Sequence, residues 1–419
     1  MRGMKETKFK NTEIGEIPED WEVRTINSFC SVKTGPFGSM LHAEDYVAKG
    51  MPIVTTEHFK NGILPLVGKD IPQVGIEDLK RMSSYTLTKD DIVFSRVGSV
   101  DINALVTVRQ KGWLFSGRVL RVRPFKQTDS LYLHYGLLKH SVRSDIVSRA
   151  VGLTMASINT KILGETELSL PPLNEQHCIA SALTSIDNLI SSLSKLIEKK
   201  KNIKQGAMQQ LLTGKTRLKG FSEPWVEKKL GDVAVNYTGL TYSPMNVKSY
   251  GTLVLRSSNI QKGILVFNDN VFVDMDIPSR AIAKKNDLLI CVRNGSKALI
   301  GKSAVITDYA DGMAFGAFMT ILHANDIQQG FLNYLWQTDY IQQQVKDNMG
   351  ATINQITNAD IEQFKIVVPH SLKEQQAIAT ILTKMDDEIT ALEAKKAKYE
   401  AIKQGMMQQL LTGKIRLIS

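Results

Sequence analysis

The chain has 419 residues, of which 43% are hydrophobic and 22% are charged, and its formal net charge is +10. At about 150 residues per domain this length predicts two or three domains, and no stretch reaches the roughly 18 uninterrupted apolar residues of a membrane helix. Three scattered cysteines and an opening, MRGMKETKFK, that lacks an apolar core predict a cytoplasmic protein without disulfides or a secretory signal, and the positive charge favours a polyanionic partner.

Residues 1–172 predict a globular module of mixed α/β type. Short runs of strand character, such as residues 91–94 (DIVF), lead into a turn at residues 96–99 (RVGS). The only Pro-Pro pair, Pro171-Pro172, is flanked by leucines and lacks the Asn/Asp-Pro-Pro-aromatic form of an adenine methyltransferase. We therefore interpret it as a joint between the module and the segment that follows.

Residues 173–214 predict one long helix. Apolar residues recur at the alternating spacing of four and three that forms a coiled-coil seam, at Ile179, Leu183, Ile186, Ile190, Leu193 and Ile197. A helix of about 39 residues is near 58 Å long, and Gly214 is a candidate left-handed cap at its end. The phrase Gly214-Lys215-Thr216 is not a P-loop, because Gln209 stands where the first glycine of that motif is required.

Residues 219–370 predict a second module built like the first. Trp225 corresponds to Trp21, residues 263–265 (GIL) match 62–64 (GIL), and residues 293–296 (RNGS) match 96–99 (RVGS). The matched residues are apolar, glycine or turn-forming, and the segments between them diverge. Divergent loops on a shared framework suggest two related modules that recognise two different things.

Residues 371–413 repeat the long helix. The phrase IKQGAMQQLLTGKTRL at 203–218 returns as IKQGMMQQLLTGKIRL at 402–417, with Gly413 in the place of the capping Gly214. Ser371 and Glu374 predict a capping box at its start. Because the second module joins the end of one helix to the start of the other, we expect the helices to pack antiparallel, with the modules related by a pseudo-twofold axis. The predicted fold is α+β: two similar mixed α/β modules joined by a coiled-coil spacer.

The chain as a whole resembles the specificity subunit of type I restriction-modification systems. The resemblance rests on the opening TEIGEIPEDW at 12–21, GFSEPW at 220–225, the Glu-Gln pairs after Pro171 and Pro369, and the two QQLLTGK helix ends. It spans nearly the whole chain. It implies two target-recognition domains, each reading half of a bipartite DNA sequence, and a helical spacer that sets the gap between the half-sites.

The resemblance also implies a chain without a catalytic centre. Two modification subunits would dock on the helices and methylate adenine with S-adenosylmethionine, and restriction subunits would add ATP- and magnesium-dependent cleavage. The residues agree with this expectation. His177-Cys178 is replaced by Gln376-Ala377 in the second copy, which argues against a metal site, and Glu198-Lys199-Lys200 is better explained as a solvated helix face than as a nuclease site.

Candidate DNA-binding residues are the Lys, Arg, Asn, Gln, Ser and Thr residues of the loops, because these types contact phosphates and base edges. In the first module they are Lys33, Lys60, Asn61, Arg96, Ser99, Arg118, Thr154, Ser157 and Asn159. In the second module they are Arg256, Ser257, Asn259, Lys262, Arg293, Asn294, Lys297, Thr352, Asn354 and Gln355. For each of them a solvated surface or turn residue is the alternative.

Candidate partner-binding residues are the apolar side chains that crowd the last turns of both helices. They are Met208, Leu211, Leu212, Met406, Met407, Leu410 and Leu411. We expect them to be uncovered and to pack against the modification subunits. Two other functions stay open at this point: a restriction enzyme that recognises its own target, which the absence of nuclease and methyltransferase motifs disfavours, and a coiled-coil adaptor that binds only proteins.

Overall fold

A computed structural model describes residues 7–36, 41–68, 70–152, 154–350 and 354–418. The chain divides into two compact units: Met1–Ser194 with Lys395–Ser419 form the first, and Lys195–Ala394 form the second. Each unit therefore contains one module and one half of each long helix. The sequence instead predicts domain limits between modules and helices, at residues 1–172, 173–214, 219–370 and 371–413. These limits stay a prediction.

The first module contains twelve strands and five short helices among the described residues. Its elements in chain order are β1 (Phe9–Thr12), β2 (Gly15–Pro18), β3 (Glu22–Thr25), α1 (Ile26–Phe29), β4 (Cys30–Thr34), β5 (Tyr46–Val47), β6 (Met51–Val54), β7 (Gln73–Val74), α2 (Ile76–Arg81), β8 (Ile92–Ser95), β9 (Asn103–Leu105), β10 (Leu114–Phe115), β11 (Val119–Pro124), α3 (Ser130–Leu137), α4 (His140–Ser148), α5 (Thr160–Gly164) and β12 (Glu167–Leu170).

The long helix α6 (Leu173–Leu211) follows, and then the second module and the second long helix. These elements are β13 (Trp225–Lys229), β14 (Ala234–Thr238), β15 (Val247–Lys248), β16 (Thr252–Leu255), β17 (Ile260–Gln261), β18 (Ile264–Leu265), β19 (Phe272–Val273), β20 (Leu288–Cys291), β21 (Ser303–Val305), β22 (Ala314–Phe315), β23 (Met319–Ala324), α7 (Gln329–Leu335), α8 (Asp339–Asp347), α9 (Asn358–Glu362), β24 (Lys365–Pro369) and α10 (Leu372–Leu410).

Three of the sheets described in each module have a counterpart in the other. An antiparallel sheet has the order β4-β11-β8-β9 in the first module and β14-β23-β20-β21 in the second. A mixed sheet has the order β10-β6-β7-β5 in the first and β22-β16-β19-β15 in the second, and β12-β3 corresponds to β24-β13. The fold predicted from the sequence, two similar mixed α/β modules with two long helices, is confirmed.

Apolar side chains of the long helices face a helical partner within each unit. Of the predicted seam, Ile179, Leu183, Ile186, Leu193 and Ile197 are buried. Ion pairs show the direction of packing: Lys403 Nζ lies 2.6 Å from Asp187 in the first unit, and Lys204 Nζ lies 2.6 Å from Asp386 in the second. Glu175 bonds to Arg416 in the same first unit, so α6 and α10 run antiparallel there.

The duplicated glycines end the two long helices with left-handed backbone, as predicted, with φ of 70° at Gly214 and 68° at Gly413. Space matters as well, since a Cβ on Gly413 would lie 2.4 Å from Pro18 and one on Gly214 would lie 3.2 Å from Trp225. The Glu374 carboxylate of the predicted capping box has a bonding partner outside the helix. Both carboxylate oxygens of Glu374 accept hydrogen bonds from Arg217, at 2.7 and 2.8 Å.

None of the helices in the described part of the chain combines the length and apolarity needed to cross a bilayer.

Candidate nucleic-acid interface

Loops that follow β16 of the mixed sheet and β20 of the antiparallel sheet bring several predicted DNA-binding residues of the second module together. Ser257 follows β16 and Asn294 follows β20, and Asn294 Nδ2 donates to Ser257 Oγ at 3.0 Å. Arg293 forms an isolated antiparallel bridge with Gln355. Asn354 Nδ2 donates to the Gly295 carbonyl at 2.8 Å. This bond holds the loop that contains Asn354 against the loop that follows β20. The side chains thus form one polar surface.

Two arginines and an aromatic ring dominate the chemistry of this surface. Arg293 is exposed, and its guanidinium lies 5.0 Å from the centre of the Phe318 ring, which is itself 54% exposed. Arg256 pairs with Asp269 at 2.9 Å, and its Nε is buried without a hydrogen-bond partner among the described residues. Beside them, a cavity of about 550 Å³ is lined by Tyr242, Arg256 and Phe318 among others. Cations and aromatic faces in this arrangement suit phosphates and bases.

The first module gathers its predicted residues in the same way. The Arg96 amide donates to the Arg118 carbonyl at 3.0 Å, and the Ile158 amide donates to the Arg96 carbonyl at 2.9 Å. Val97 bridges Ser157 in antiparallel fashion. Arg118 and Ser99 are exposed, and Asn159 caps α5 by accepting from the Ile162 amide at 2.9 Å. Three segments, at residues 96–99, at Arg118 and at residues 157–159, are therefore held side by side.

The predicted equivalence of Arg96 and Arg293 is wrong by one residue. The Ile158 amide bonds to Arg96, whereas the corresponding Ile356 amide bonds to Val292. Arg96 therefore occupies the position of Val292. Its guanidinium donates to the carbonyls of Ile158 and Gly117, at 3.2 and 3.0 Å. Because these bonds tie neighbouring loops together, Arg96 supports the surface from within, and Arg293 projects from it.

The prediction for Asn259 is also wrong. The residue is 0% exposed. Its Oδ1 accepts from the Arg256 amide at 2.9 Å and its Nδ2 donates to the Val266 carbonyl at 3.0 Å. Both ends of the amide are used to shape the turn after β16, so Asn259 cannot reach DNA while that turn is folded.

Lys33 lies half-buried beside Tyr85. Its Nζ donates to the Ser84 carbonyl at 3.0 Å and lies 4.2 Å from the centre of the Tyr85 ring. Burial, together with repulsion from Arg121 and Arg123, lowers the pKa of Lys33. The lysine is therefore less available for a phosphate than the sequence suggests.

The remaining predicted residues lie elsewhere or outside the described part. Lys60 and Asn61 line a groove of about 790 Å³ with Tyr135 of α3, and Lys262 lines one of about 980 Å³ with Tyr334 of α7. Thr154 is exposed on a loop, and Lys297 is exposed at the start of a 3-10 turn, Lys297–Leu299. Thr352 lies outside the described residues.

The prediction that the apolar helix ends are uncovered is wrong. Leu211 and Leu212 are buried in the second unit, where Met208 packs with them near Trp225 and Phe331. The corresponding residues of the first unit pack with Trp21, Tyr132 and Ile179. They are Met406, Met407, Leu410 and Leu411. The chain itself covers most of this apolar area, and of these residues only Met208 and Met406 stay partly exposed.

The sequence interpretation missed a different apolar stripe on α6. Leu189, Leu196 and Ile203 are 38%, 39% and 47% exposed. Their spacing of seven residues places them on one face of the helix, outside the buried seam. The heptad spacing was visible in the sequence. The prediction from the sequence considered only the seam, most of which is buried.

His177, considered together with Cys178 as a metal ligand in the sequence, has another explanation. The His177 ring Nδ1 lies 2.6 Å from Asp129 Oδ2, and this pair joins α6 to the start of α3. Over the described ranges no group of three His, Cys, Asp or Glu side chains has the geometry to hold a metal.

Comparison with known proteins gives consistent matches over the whole chain. The family described as "Type I restriction modification DNA specificity domain" matches it twice, over residues 18–205 and 222–404. The type I restriction enzyme MjaVIII specificity subunit of Methanocaldococcus jannaschii is 28% identical over 435 residues, covering 100% of this chain and 98% of that protein. A second protein of that organism, provisionally named the MjaX specificity subunit, is 29% identical over 437 residues, covering 99% and 98%.

The fold also matches a solved structure. The type-I restriction-modification system S subunit from M. genitalium superposes with a TM-score of 0.60 at 17% identity, covering 93% of this chain and 96% of that one.

Proposed function

Because this chain belongs to the family of type I restriction-modification DNA specificity domains, we propose that it selects a bipartite DNA target and that each module reads one half-site. Members of the family are named specificity subunits, and the chain is a specificity subunit rather than a catalytic one. Its proposed substrate is therefore duplex DNA, which it binds without changing it chemically.

The observation that supports two half-sites is a common framework with different loop chemistry. Three sheets have the same strand order in both modules, yet the exposed residue immediately before β11 is Arg118 and the equivalent residue before β23 is Phe318. At the next loop Val97 in the first module corresponds to Arg293 in the second. Equivalent positions with different side chains are what two readers of different base sequences require.

We propose that the long helices dock two modification subunits and set the gap between the half-sites. The exposed stripe Leu189, Leu196 and Ile203 supports a helical docking face, since a seven-residue apolar repeat packs best against another helix. S-adenosylmethionine, ATP and magnesium would then belong to the partner subunits. Restriction subunits could join the same complex, which would act on DNA in the cytoplasm.

Methylation mapping tests the proposal directly. Co-expression of this chain with a cognate modification subunit should produce N6-methyladenine at one bipartite motif, and either protein alone should produce none. Exchanging residues 1–170 for those of a relative should change only one half of the motif, and exchanging residues 219–370 should change only the other. Methylation at a continuous motif, or a change in both halves from one exchange, would refute the assignment.

A further inference from the structure

A cluster of polar side chains joins the first module to both long helices. Tyr135 on α3 donates from Oη to Asp187 Oδ2 on α6 at 2.8 Å, and Thr184 Oγ1 lies 3.4 Å from the same hydroxyl. Lys403 Nζ on α10 lies 2.6 Å from Asp187 Oδ1 and 5.6 Å from the centre of the Tyr135 ring. We call these four residues the first polar junction.

The second unit contains the same cluster, with the long helices in exchanged roles. Tyr334 on α7 donates to Asp386 Oδ2 on α10 at 2.8 Å, and Thr383 Oγ1 lies 3.3 Å away. Lys204 on α6 lies 2.6 Å from Asp386 Oδ1 and 5.3 Å from the centre of the Tyr334 ring. These four residues form the second polar junction.

The tyrosines of both junctions are withdrawn from water. Tyr135 is 3% exposed and Tyr334 is 9% exposed, and burial, reinforced by the neighbouring aspartate, raises the pKa of each phenol. Each phenol therefore stays protonated and donates to a carboxylate that the lysine also holds. A hydrogen bond to a charged group is short and directional, so it fixes a geometry that apolar contact alone would leave adjustable.

In each junction the aspartate carboxylate of one long helix is thus bonded to the tyrosine of the module and to the lysine of the other long helix. Tyr135 contributes the module, Asp187 contributes one long helix and Lys403 contributes the other. Tyr132, one turn earlier on α3, serves a different purpose, because its hydroxyl donates to the Ser169 carbonyl inside the module at 2.8 Å. Of these two tyrosines, only Tyr135 bonds outside its module through its hydroxyl.

We propose that the two polar junctions are positioning sites that fix the angle of each reading module on its helix pair, and thereby the gap length that the protein accepts between half-sites. The inference rests on the function proposed above. A domain of about 150 residues has a radius of gyration near 15 Å, so its reading surface lies about 20 Å from such a pivot. A tilt of about 10° moves that surface by about 3.5 Å, close to the roughly 3.4 Å of one base-pair step.

Discrimination between gap lengths is the measurement that tests the junctions. The complex of the full-length chain with its modification subunit is given duplexes with the mapped gap and with gaps one base pair shorter and longer. Tyr135→Phe should lower the preference for the mapped gap about tenfold, the factor expected for one lost hydrogen bond to a charged group. Tyr334→Phe should do the same, and neither variant should change the bases read in either half-site.

Tyr132→Phe is the matched control. It removes a buried hydroxyl from the same helix, and it should lower the stability of the module while leaving the gap preference at the wild-type value. Lys403→Gln, which leaves the tyrosine in place, should relax the gap preference in the same direction and covers the case in which Tyr135→Phe does not fold.

The possible outcomes separate this inference from the proposed function. A wild-type complex that methylates no bipartite sequence refutes the function. A wild-type complex that methylates one, with Tyr135→Phe and Lys403→Gln keeping its gap preference, refutes the junctions alone. A relaxed preference in Tyr132→Phe as well would also refute them, because general loosening of the module would then explain the result.

Discussion

Replacing Arg416 with methionine should destabilise the first unit more than any exposed ion-pair change. Arg416 donates to both carboxylate oxygens of Glu175 at 2.7 and 2.8 Å, and also to Asp20. The Glu175 carboxylate also accepts hydrogen bonds from Trp21 Nε1 at 3.0 Å and from the Leu417 amide at 3.3 Å. Hydrogen bonding to Glu175 and Asp20 raises the pKa of Arg416, which keeps the guanidinium charged.

The expected loss follows from burial. The side chain of Glu175 is 1% exposed and that of Arg416 is 9% exposed, so the substitution leaves a buried carboxylate with two neutral donors and no cation. Breaking a buried pair in this way costs about 3–5 kcal/mol, which lowers the melting temperature of a unit of this size by about 6–20 °C. Asp20 is 52% exposed and adds little. Calorimetry of the full-length chain measures the change.

Lys161→Met is the matched control. Lys161 and Glu165 lie 4.0 Å apart with side chains 80% and 54% exposed, so this change should cost less than about 0.5 kcal/mol. Arg217→Met, which breaks the equivalent bond to Glu374, should destabilise the second unit in the same direction. A loss below about 1 kcal/mol for Arg416→Met would refute the reasoning, because it would mean that the carboxylate is satisfied without the arginine.

Three further changes have defined outcomes. Burial, and to a smaller extent repulsion from Lys403, lowers the pKa of His134 from 6.5 to about 4. Between these pH values the unfolded chain binds a proton that the folded chain does not. The first unit should therefore lose stability as the pH falls from 6.5 to about 4. His134→Asn should flatten that part of the stability–pH curve; an unchanged slope in urea titrations would contradict this. Arg118→Ala should reduce the slope of log affinity against log salt by about 0.9, as loss of one phosphate contact requires, whereas Arg96→Ala should lower stability first; equal salt slopes for Arg118→Ala and the wild type would exclude that contact. Leu196→Asp should reduce co-purification of the modification subunit at least tenfold without unfolding the chain, whereas Leu211→Asp should unfold the second unit, and full retention of the partner by Leu196→Asp would rule out the stripe as its docking face.

The long helices and their ends were predictable from the sequence because local rules determine them. A four-and-three apolar spacing from Ile179 to Ile197 has few structural alternatives, and a glycine just after the end of such a helix predicts left-handed backbone. Gly214 and Gly413 have that backbone. Because the helix sequence is duplicated, each long helix was expected to have an equivalent helix as its partner.

Two features were not predictable: the alignment of equivalent loop residues in the two modules, and the burial of the helix ends by the rest of the chain. Both depend on contacts between distant residues. Arg96 and Arg293 stand in similar phrases, but the carbonyl that each strand offers to the crossing loop differs by one residue. Leu410 is buried by residues that include Trp21, nearly the whole chain length away. An apolar residue in a sequence is expected to be buried, but the sequence does not show which segment buries it.

The first unit combines residues 1–194 with residues 395–419, and this has a consequence for synthesis on the ribosome. Asp20 and Arg416 are 396 positions apart. At about 5–20 residues per second, the part of the first unit that ends at residue 194 would wait at least about 10 seconds for residues 395–419 while the second unit is synthesised. During that interval the apolar faces around Trp21 and Ile179 would be uncovered. The nascent first module should therefore be the part of the chain that chaperones bind longest.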